Sequence, residues 1–405
     1  MVRQVNVKNP LLVVLAVLFL ANAVSAGESA GQPGEFLRYG IGARPLAMGG
    51  AFVGLADDIN SIYYNPAGLK FLTGLEASFM CSRFWQGISY QYIAVGLPDV
   101  KYGLALGVAH IRHDMEAFDL RTATDDSIGS FDITEHATYL SLAWSTFSWP
   151  AELSVGGTAK FVFQNFRDCD DGSSGPGADL GVIFRYSSFF RKKVIPVQVG
   201  MCIQNLLKPK LRTELSDESL PTALDMGGSA SYVYEKVTLT AAVSWHLVES
   251  QEGGLFAGRK GVNLGSEAIW RVNSDISAAF RVGRRSDPGS LTIGGGLCIN
   301  LDGSLVGINV GSRTHKYDFA RPDFGDDELT FRPSFARRDA EYYYGRLCSV
   351  TDDSLLARQY AIKIVRLYPN EFMLQAAAGL VYLYDRSHAS RYLRFLEDMA
   401  IKCPE

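Results

Sequence analysis

Histidines and acidic residues are the side chains of this sequence most suited to metal or acid–base chemistry, yet their spacing completes no site. His110 and His113 are three residues apart, which on a helix would let them share a metal ion. The surrounding sequence predicts a β-strand, in which this spacing puts the two rings on opposite faces. The run 168–172 (Asp-Cys-Asp-Asp-Gly) lacks the acidic spacing and the closing Glu of a calcium loop. We therefore predict no metal site.

Catalytic and phosphate-binding motifs are also missing from the sequence. The triplet Gly294, Gly295 and Gly296 is not followed by a predicted helix, so it does not form a phosphate loop. Within a strand, it indicates a kink, a bulge or the close approach of another segment. The sequence has no Gly-x-Ser-x-Gly and no His-Glu-x-x-His motif. Its 39 Lys and Arg against 43 Asp and Glu, without a basic patch, argue against a nucleic-acid partner. We predict neither an enzyme nor a cofactor.

The first 26 residues have the pattern of a signal peptide. Arg3 and Lys8 flank the start of an apolar run at 11–20, and the small residues at 24–26 offer a cleavage site. The run is shorter than the roughly 20 apolar residues that a membrane-spanning helix needs. We predict cleavage after Ala26 and export of the mature chain across the inner membrane.

Alternating apolar and polar residues dominate the chain after residue 75. Between 152 and 164 the odd positions are mostly apolar, and the even positions are mostly polar. The same period recurs at 236–245, 262–272 and 292–301, and it predicts strands with one apolar face. A soluble sandwich would alternate too, but the Gly, Ser and Thr on the polar faces favour the lumen of a membrane barrel.

The predicted fold class is an all-β transmembrane barrel of about 14 antiparallel strands, within residues 75–336 and in the bilayer of the outer membrane. An even strand number brings both ends of the barrel to the periplasmic side. We predict periplasmic turns at 99–100 and 302–303, and outer loops at 113–133, 167–177 and 206–224. The strands are predicted near 75–84, 88–97, 102–112, 134–146, 152–166, 178–188, 194–205, 225–234, 236–247, 261–272, 275–285, 290–301, 304–317 and 327–335.

Residues 27–74, between the leader and the first strand, are predicted to fill the barrel as a plug. The stretch 40–74 is too rich in glycine for a helix and too apolar for a linker. Its glycines permit close packing of the backbone against other backbone. Residues 65–68 (Asn-Pro-Ala-Gly) have strong turn chemistry. Such a segment suits the inside of a barrel.

Four motifs in this stretch resemble the N-terminal signature of the FadL-like outer-membrane proteins, in the branch of PorV and PorQ. They are 42–44 (GAR), 48–53 (MGGAFV), 56–58 (ADD) and 64–69 (YNPAGL). The stretch 325–335 is similar to the last strand of this family and ends on an aromatic residue, as the signal for the barrel-assembly machinery does.

The resemblance implies a barrel that takes up long-chain fatty acids or other hydrophobic molecules. It implies plug or gating positions at Arg44, Gly49, Gly50, Asn65, Pro66, Ala67 and Gly68. Residues 65–68 could also serve only to shape a turn. PorV-type members suggest an alternative function, a scaffold that binds proteins of a secretion system. A continuous apolar lumen would favour uptake, and a sealed polar lumen would favour the scaffold.

Residues 337–405 are predicted to form a small α-helical domain in the periplasm. The apolar period changes there from 2 to about 3.6, and Pro369 ends the first helix. The helix spacing fits either a TPR-like unit or a plain helical cap. Cys348 and Cys403 could form a disulfide in this oxidising compartment. The domain could bind a periplasmic protein partner.

Overall fold

The computed structural model of the chain describes most of residues 34–332. The exceptions are 84–87, 99, 101–102, 122–126, 149–150, 167–170, 191–192, 213–216, 235, 250–259, 274, 287–288, 302–303 and 316–325. The predicted signal peptide, the predicted helical domain and the candidate disulfide Cys348–Cys403 therefore lie outside the described residues.

The described residues form an antiparallel barrel. Its strands close in a ring of fourteen, in which β1 pairs with β16 and β7 pairs with β10. The strands are β1 Glu76–Arg83, β2 Ile88–Leu97, β3 Leu104–Arg121, β4 Ser127–Ser148, β5 Ala151–Phe166, β6 Asp171–Phe190, β7 Lys193–Leu207, β8 Lys210–Arg212, β9 Asp217–Ser219, β10 Ala223–Tyr234, β11 Val237–Val248, β12 Lys260–Arg271, β13 Ile276–Arg285, β14 Ser290–Leu301, β15 Ser304–His315 and β16 Asp326–Arg332. The short strands β8 and β9 pair with each other outside this ring. The predicted even number of about 14 strands is confirmed.

Where the structure describes the side chains, the barrel strands have a largely apolar outer face and a buried inner face. On β5, Ser154 and Lys160 are buried, whereas Leu153 and Phe161 are 40% and 51% exposed. Exposed Leu, Val, Phe and Trp side chains recur in this way on strand after strand. Such a surface would be costly in water but matches the apolar band of an outer-membrane barrel. Among the described residues, no helix has both the length and the apolar character needed to cross a bilayer.

Connections at the two ends of the barrel differ in length. At one end they are as short as 149–150, 191–192 and 302–303, and at the other they include 208–222, 249–259 and 316–325. Outer-membrane barrels place short turns in the periplasm and longer loops outside. We call the end with longer connections the outer end. The predicted turns 99–100 and 302–303 fall at the periplasmic end.

Two predicted outer loops are wrong. Most of 113–133 continues β3 and β4, whose pairing runs from His113 opposite Glu135 to Arg121 opposite Ser127. Above the bilayer an outward position need not be apolar, so the ladder continues there without the period-2 signal. Residues 171–177 begin β6 rather than a loop. Another segment crosses the inner face beside Gly175 and Gly177: a Cβ at Gly175 would lie 2.7 Å from the backbone of Lys210, and one at Gly177 would lie 2.7 Å from Pro209 Cγ. The third predicted loop, 206–224, contains the hairpin β8–β9.

Residues 34–74 lie inside the barrel, and we call them the inner segment. Contrary to the prediction from glycine content, they contain short helices: two 3-10 helices, Glu35–Tyr39 and Pro66–Phe71, and two α-helices, α1 Ala43–Ala47 and α2 Ser61–Tyr64. Their apolar side chains are almost completely buried, and Ile59, Ile62 and Leu69 join a cluster with Tyr92 and Tyr139 of the wall. Burial against the wall stabilises helices that would be too short to form alone.

Candidate functional site

Arg44 ties the inner segment to itself and to the barrel wall. Its Nη1 donates to Asp57 Oδ1 at 2.6 Å and to Asp58 Oδ2 at 2.8 Å. Its Nε and Nη2 donate to the two carboxylate oxygens of Glu267 on β12, at 2.9 and 2.8 Å. The side chains of Asp58 and Glu267 are only 4% and 1% exposed. Burial alone would lower the pKa of Arg44, but the charges of Asp57, Glu267 and Asp58 raise it well above its ordinary value.

The ionic cluster continues around the wall from Glu267. This carboxylate also accepts a hydrogen bond from Arg281 Nε on β13 at 2.6 Å. Arg281 Nη1 in turn donates to Asn309 Oδ1 on β15 at 2.8 Å. Two guanidinium groups therefore share one buried carboxylate, and the inner segment contributes the other two carboxylates. Sequence reasoning singled out Arg44 but missed Glu267 and Arg281, which look like ordinary inward polar positions of a strand.

Asn65 fastens the turn at 65–68 to a second part of the wall, three to four strands around the ring from Glu267. Its Nδ2 donates to the carbonyl oxygens of Val53, Val182 and Met201, at 3.0, 3.2 and 3.3 Å. Its Oδ1 accepts from the backbone N–H of Ala67 at 3.3 Å, which caps the 3-10 helix that begins at Pro66. The same side chain thus shapes the turn, as one interpretation predicted, and connects it to β6 and β7.

The predicted glycine positions of the inner segment are all close-packed or in the left-handed region. Gly49 and Gly50 have φ of +66° and +78°. A Cβ on Gly49 would lie 2.7 Å from the backbone of Arg284, and one on Gly68 would lie 2.0 Å from the carbonyl oxygen of Ala56. Only glycine fits these positions without a shift of backbone.

The wall has matching glycines that sequence reasoning did not recognise as a set. Each faces inward, and a Cβ there would lie against the inner segment: Gly96, Gly107, Gly156, Gly181, Gly200, Gly227, Gly265, Gly283, Gly294 and Gly311. Several pair directly across neighbouring strands, such as Gly156 with Gly181 and Gly265 with Gly283. We call these residues the wall glycines. The approach predicted for the triplet 294–296 is observed at Gly294, whose added Cβ would lie 2.4 Å from Ala47 Cβ.

A cavity of about 110 Å³ lies between the inner segment and the outer ends of β5–β7 and β10–β13. We call it the outer cavity. Its wall carries the ion pair of Lys160 Nζ with Asp179 Oδ1 at 2.6 Å, and a hydrogen-bonded contact between His246 Nδ1 and Asp225 Oδ1. Its apolar and aromatic lining comprises Leu37, Val53, Tyr63, Tyr64, Tyr139, Leu220 and Val248. The lining is therefore mixed, neither a continuous apolar channel nor a wholly polar lumen.

The predicted absence of a shared histidine site follows from the geometry of β3. His113 is buried inside the barrel, where its ring stacks on Phe36. His110 lies on the other face, and its Nδ1 is 2.9 Å from Thr138 Oγ1. The two rings lie on opposite sides of the wall.

Comparison with known proteins identifies solved structures of similar fold. No protein-family model matches the chain, and no curated protein matches it. Among solved structures, the Ralstonia pickettii toluene transporter TbuX aligns with a TM-score of 0.50 at 12% identity, over 73% of this chain and 98% of that one. The Pseudomonas putida toluene transporter TodX aligns with a TM-score of 0.44 at 10% identity, over 72% and 96%. A Pseudomonas aeruginosa FadL homologue gives 0.41 at 9%, over 70% and 96%.

At sequence identities of 9–12%, the similarity concerns the fold alone. The match to TbuX covers nearly all of that chain, so the two chains share the barrel fold. The chain therefore resembles the FadL-like outer-membrane channels in structure, as the motifs within residues 42–69 predicted.

Proposed function

We propose that this chain is an outer-membrane channel for small hydrophobic molecules, and that the inner segment acts as its plug. The observation that carries the proposal is the outer cavity. It adjoins the inner segment at the outer end of the barrel, where a ligand arriving from outside would first meet it. The TbuX barrel, which has the same fold, belongs to a toluene transporter.

The size of the outer cavity favours a ligand of about one ring over a long acyl chain. An engineered apolar cavity of about 150 Å³ admits benzene, and the outer cavity measures about 110 Å³. To admit a long-chain fatty acid, the inner segment would have to move much further than it would to admit a single ring. The tyrosine rings of Tyr63, Tyr64 and Tyr139 suit an aromatic ligand, since aromatic pairs gain from edge-to-face contact.

Passage requires that the inner segment change its contacts with the wall. Arg44 with Glu267 on β12, and Asn65 with Val182 and Met201 on β6 and β7, are two sets of polar contacts that hold it to the wall, three to four strands apart in the ring. We assign both residues a gating role on this ground. The pathway would open where one set of contacts is released while the other keeps the segment attached.

The test compares a ring-sized probe with a long-chain probe. The full-length protein in liposomes is expected to take up labelled toluene faster than protein-free liposomes, and to take up labelled palmitate poorly. Val248→Phe should fill the outer cavity and reduce toluene binding by about tenfold, the scale at which a pocket rejects extra volume. Val199→Phe, on the exposed outer face, is the matched control and should leave binding unchanged. Equal binding in all three proteins would contradict the proposal.

The filled lumen gives a specific reason to consider the PorV-like scaffold as well. Among the described residues, the buried ion pair of Arg44 with Glu267 holds the inner segment to the wall, and that of Lys160 with Asp179 links β5 to β6 inside the barrel. A scaffold would need such rigidity but no ligand path. Binding of proteins would then fall to the outer surface or to residues 337–405.

Deletion of residues 337–405 separates these two functions. Because the described barrel closes through β16, which ends at Arg332, the truncated chain is expected to assemble and to keep heat-dependent mobility on a denaturing gel. A channel should retain toluene uptake after the deletion. A scaffold should show no uptake in either form, and should lose capture of exported proteins when truncated. Failure of the truncated barrel to assemble would show that 337–405 is needed for folding.

A further inference from the structure

The apolar outer face of β3 is shorter than that of β5. On β3, the exposed apolar positions run from Leu104 to Val108, about 14 Å of strand at roughly 3.4 Å per residue. On β5 they run from Leu153 to Phe163, about 34 Å by the same measure. With the strands tilted by about 45°, these lengths correspond to about 10 Å and about 24 Å of height, whereas the apolar band of an outer-membrane barrel is about 25 Å tall. On the β3 side of the barrel, the outward side chains therefore become polar below the upper edge of this apolar band.

The next outward positions of β3 and β4 toward the outer end carry His110, Arg112, Asp114 and His136. Asp114 fixes Arg112, whose Nε donates to Asp114 Oδ2 at 2.6 Å, while the arginine side chain stays 51% exposed. The rings of His110 and His136 stack with centroids 5.4 Å apart. Arg112 lies directly opposite His136 in the β3–β4 ladder. We call these four residues the outer-wall patch.

The position of the outer-wall patch defines the chemistry of its ligand. Directly below it lie Val108 and Leu140, which are 50% and 54% exposed and would face acyl chains. A molecule in contact with both surfaces must be apolar at one end and anionic or strongly hydrogen-bonding at the other. Arginine and histidine at that level are suited to a phosphate group, because a guanidinium forms strong charge-assisted bonds with phosphate oxygens.

We propose that His110, Arg112 and His136 bind the phosphate headgroup of an outer-leaflet lipid, whose acyl chains lie along Val108 and Leu140. The outward orientation distinguishes this site from the outer cavity, which lies inside the barrel. The site depends on the membrane barrel and not on what the barrel transports. Asp114 acts as a positioning residue, because its carboxylate orients the guanidinium of Arg112.

The experiment measures lipid retention by the full-length protein in detergent, by native mass spectrometry. The probes are diphosphoryl lipid A, the uncharged-headgroup lipid diacylglycerol and inorganic phosphate. The wild type should retain lipid A in preference to diacylglycerol. Loss of the charge-assisted hydrogen bonds that the Arg112 guanidinium would donate to phosphate oxygens should lower the affinity about fivefold or more, even where the net charge of the patch is unchanged. The double variant Arg112→Gln/Asp114→Asn removes the ion pair without leaving a lone carboxylate, and is expected to bind lipid A about fivefold more weakly. Adding His110→Gln and His136→Gln should weaken it further.

Arg271→Gln is the matched control, because Arg271 is an exposed cation at the periplasmic end of β12. It should bind lipid A like the wild type. Heat-dependent mobility on a denaturing gel identifies the variants that have folded. The proposal is overturned if the folded patch variants bind lipid A like the wild type, or if lipid A and diacylglycerol are retained equally. It is also overturned if inorganic phosphate binds as tightly as lipid A, which would indicate a free-anion site.

Discussion

Arg44→Met is expected to lower the free energy of unfolding by about 3–5 kcal/mol, the cost of removing one partner from a buried ion pair. The substitution leaves Asp58 without the guanidinium that neutralises it, at a side chain that is 4% exposed. Glu267 keeps Arg281 but loses its paired contacts to Arg44. The measurement is the thermal midpoint of heat-dependent gel mobility in detergent, supported by the loss of β-sheet circular dichroism.

Arg38→Met is the matched control for this prediction. Arg38 pairs with Glu35 at 2.7 Å, but the Glu35 side chain is 38% exposed, so the change should cost at most about 1 kcal/mol. The double variant Arg44→Met/Asp58→Asn should recover part of the lost stability, because it removes the uncompensated charge. Equal midpoints for Arg44→Met and Arg38→Met would show that the ionic cluster does not hold the inner segment in place.

Gly156→Ala is expected to displace the inner segment, whereas Gly157→Ala is expected to be tolerated. A Cβ on Gly156 would lie 2.4 Å from the backbone of Pro66 and Ala67, where neither side can retreat easily. The neighbouring Gly157 faces outward, and its nearest atom would be 3.8 Å away. Overpacking of this kind costs about 1–3 kcal/mol or more.

Both variants replace a glycine by alanine, at adjacent positions. The comparison therefore isolates the direction in which the added methyl group points. The measurements are the thermal midpoint and limited proteolysis of residues 34–74 in the folded barrel. Gly156→Ala should lower the midpoint and expose the inner segment to protease. A similar result for Gly157→Ala, or no effect of Gly156→Ala, would contradict the close approach of segment and wall.

The strand pattern was readable from the sequence because a bilayer favours apolar residues at the outward positions of a strand. That constraint predicted the fourteen-stranded ring and the faces of β5. It vanishes above the bilayer, which is why the outer parts of β3 and β4 and the start of β6 were predicted as loops. Gly175 and Gly177 lie within β6 and make room for the crossing of 208–212 rather than for a turn.

Only part of the candidate functional site could be predicted from the sequence. Arg44 and Asn65 were singled out by their motifs, which lie in one short stretch. Their partners are distant in sequence: Glu267 is 223 residues from Arg44, and Met201 is 136 residues from Asn65. In the sequence, a wall glycine such as Gly200 looks like any small residue of a strand. Its role in close packing becomes clear only in the structure, where Val53 lies against it. A single sequence contains no signal that joins such pairs.

The seam of the ring has a consequence for the order of assembly. β1 and β16 meet from Ala77 opposite Phe331 to Cys81 opposite Asp327, whereas the β4–β5 ladder runs from Ile133 to Ser148. A junction between residues so far apart in the chain forms slowly. Residues 34–74 precede every strand in the chain, so the inner segment is already present when the strands pair around it. Until β16 arrives, two unpaired strand edges remain open to pairing with other chains. A partner that shields these edges would therefore be needed for as long as the seam stays open.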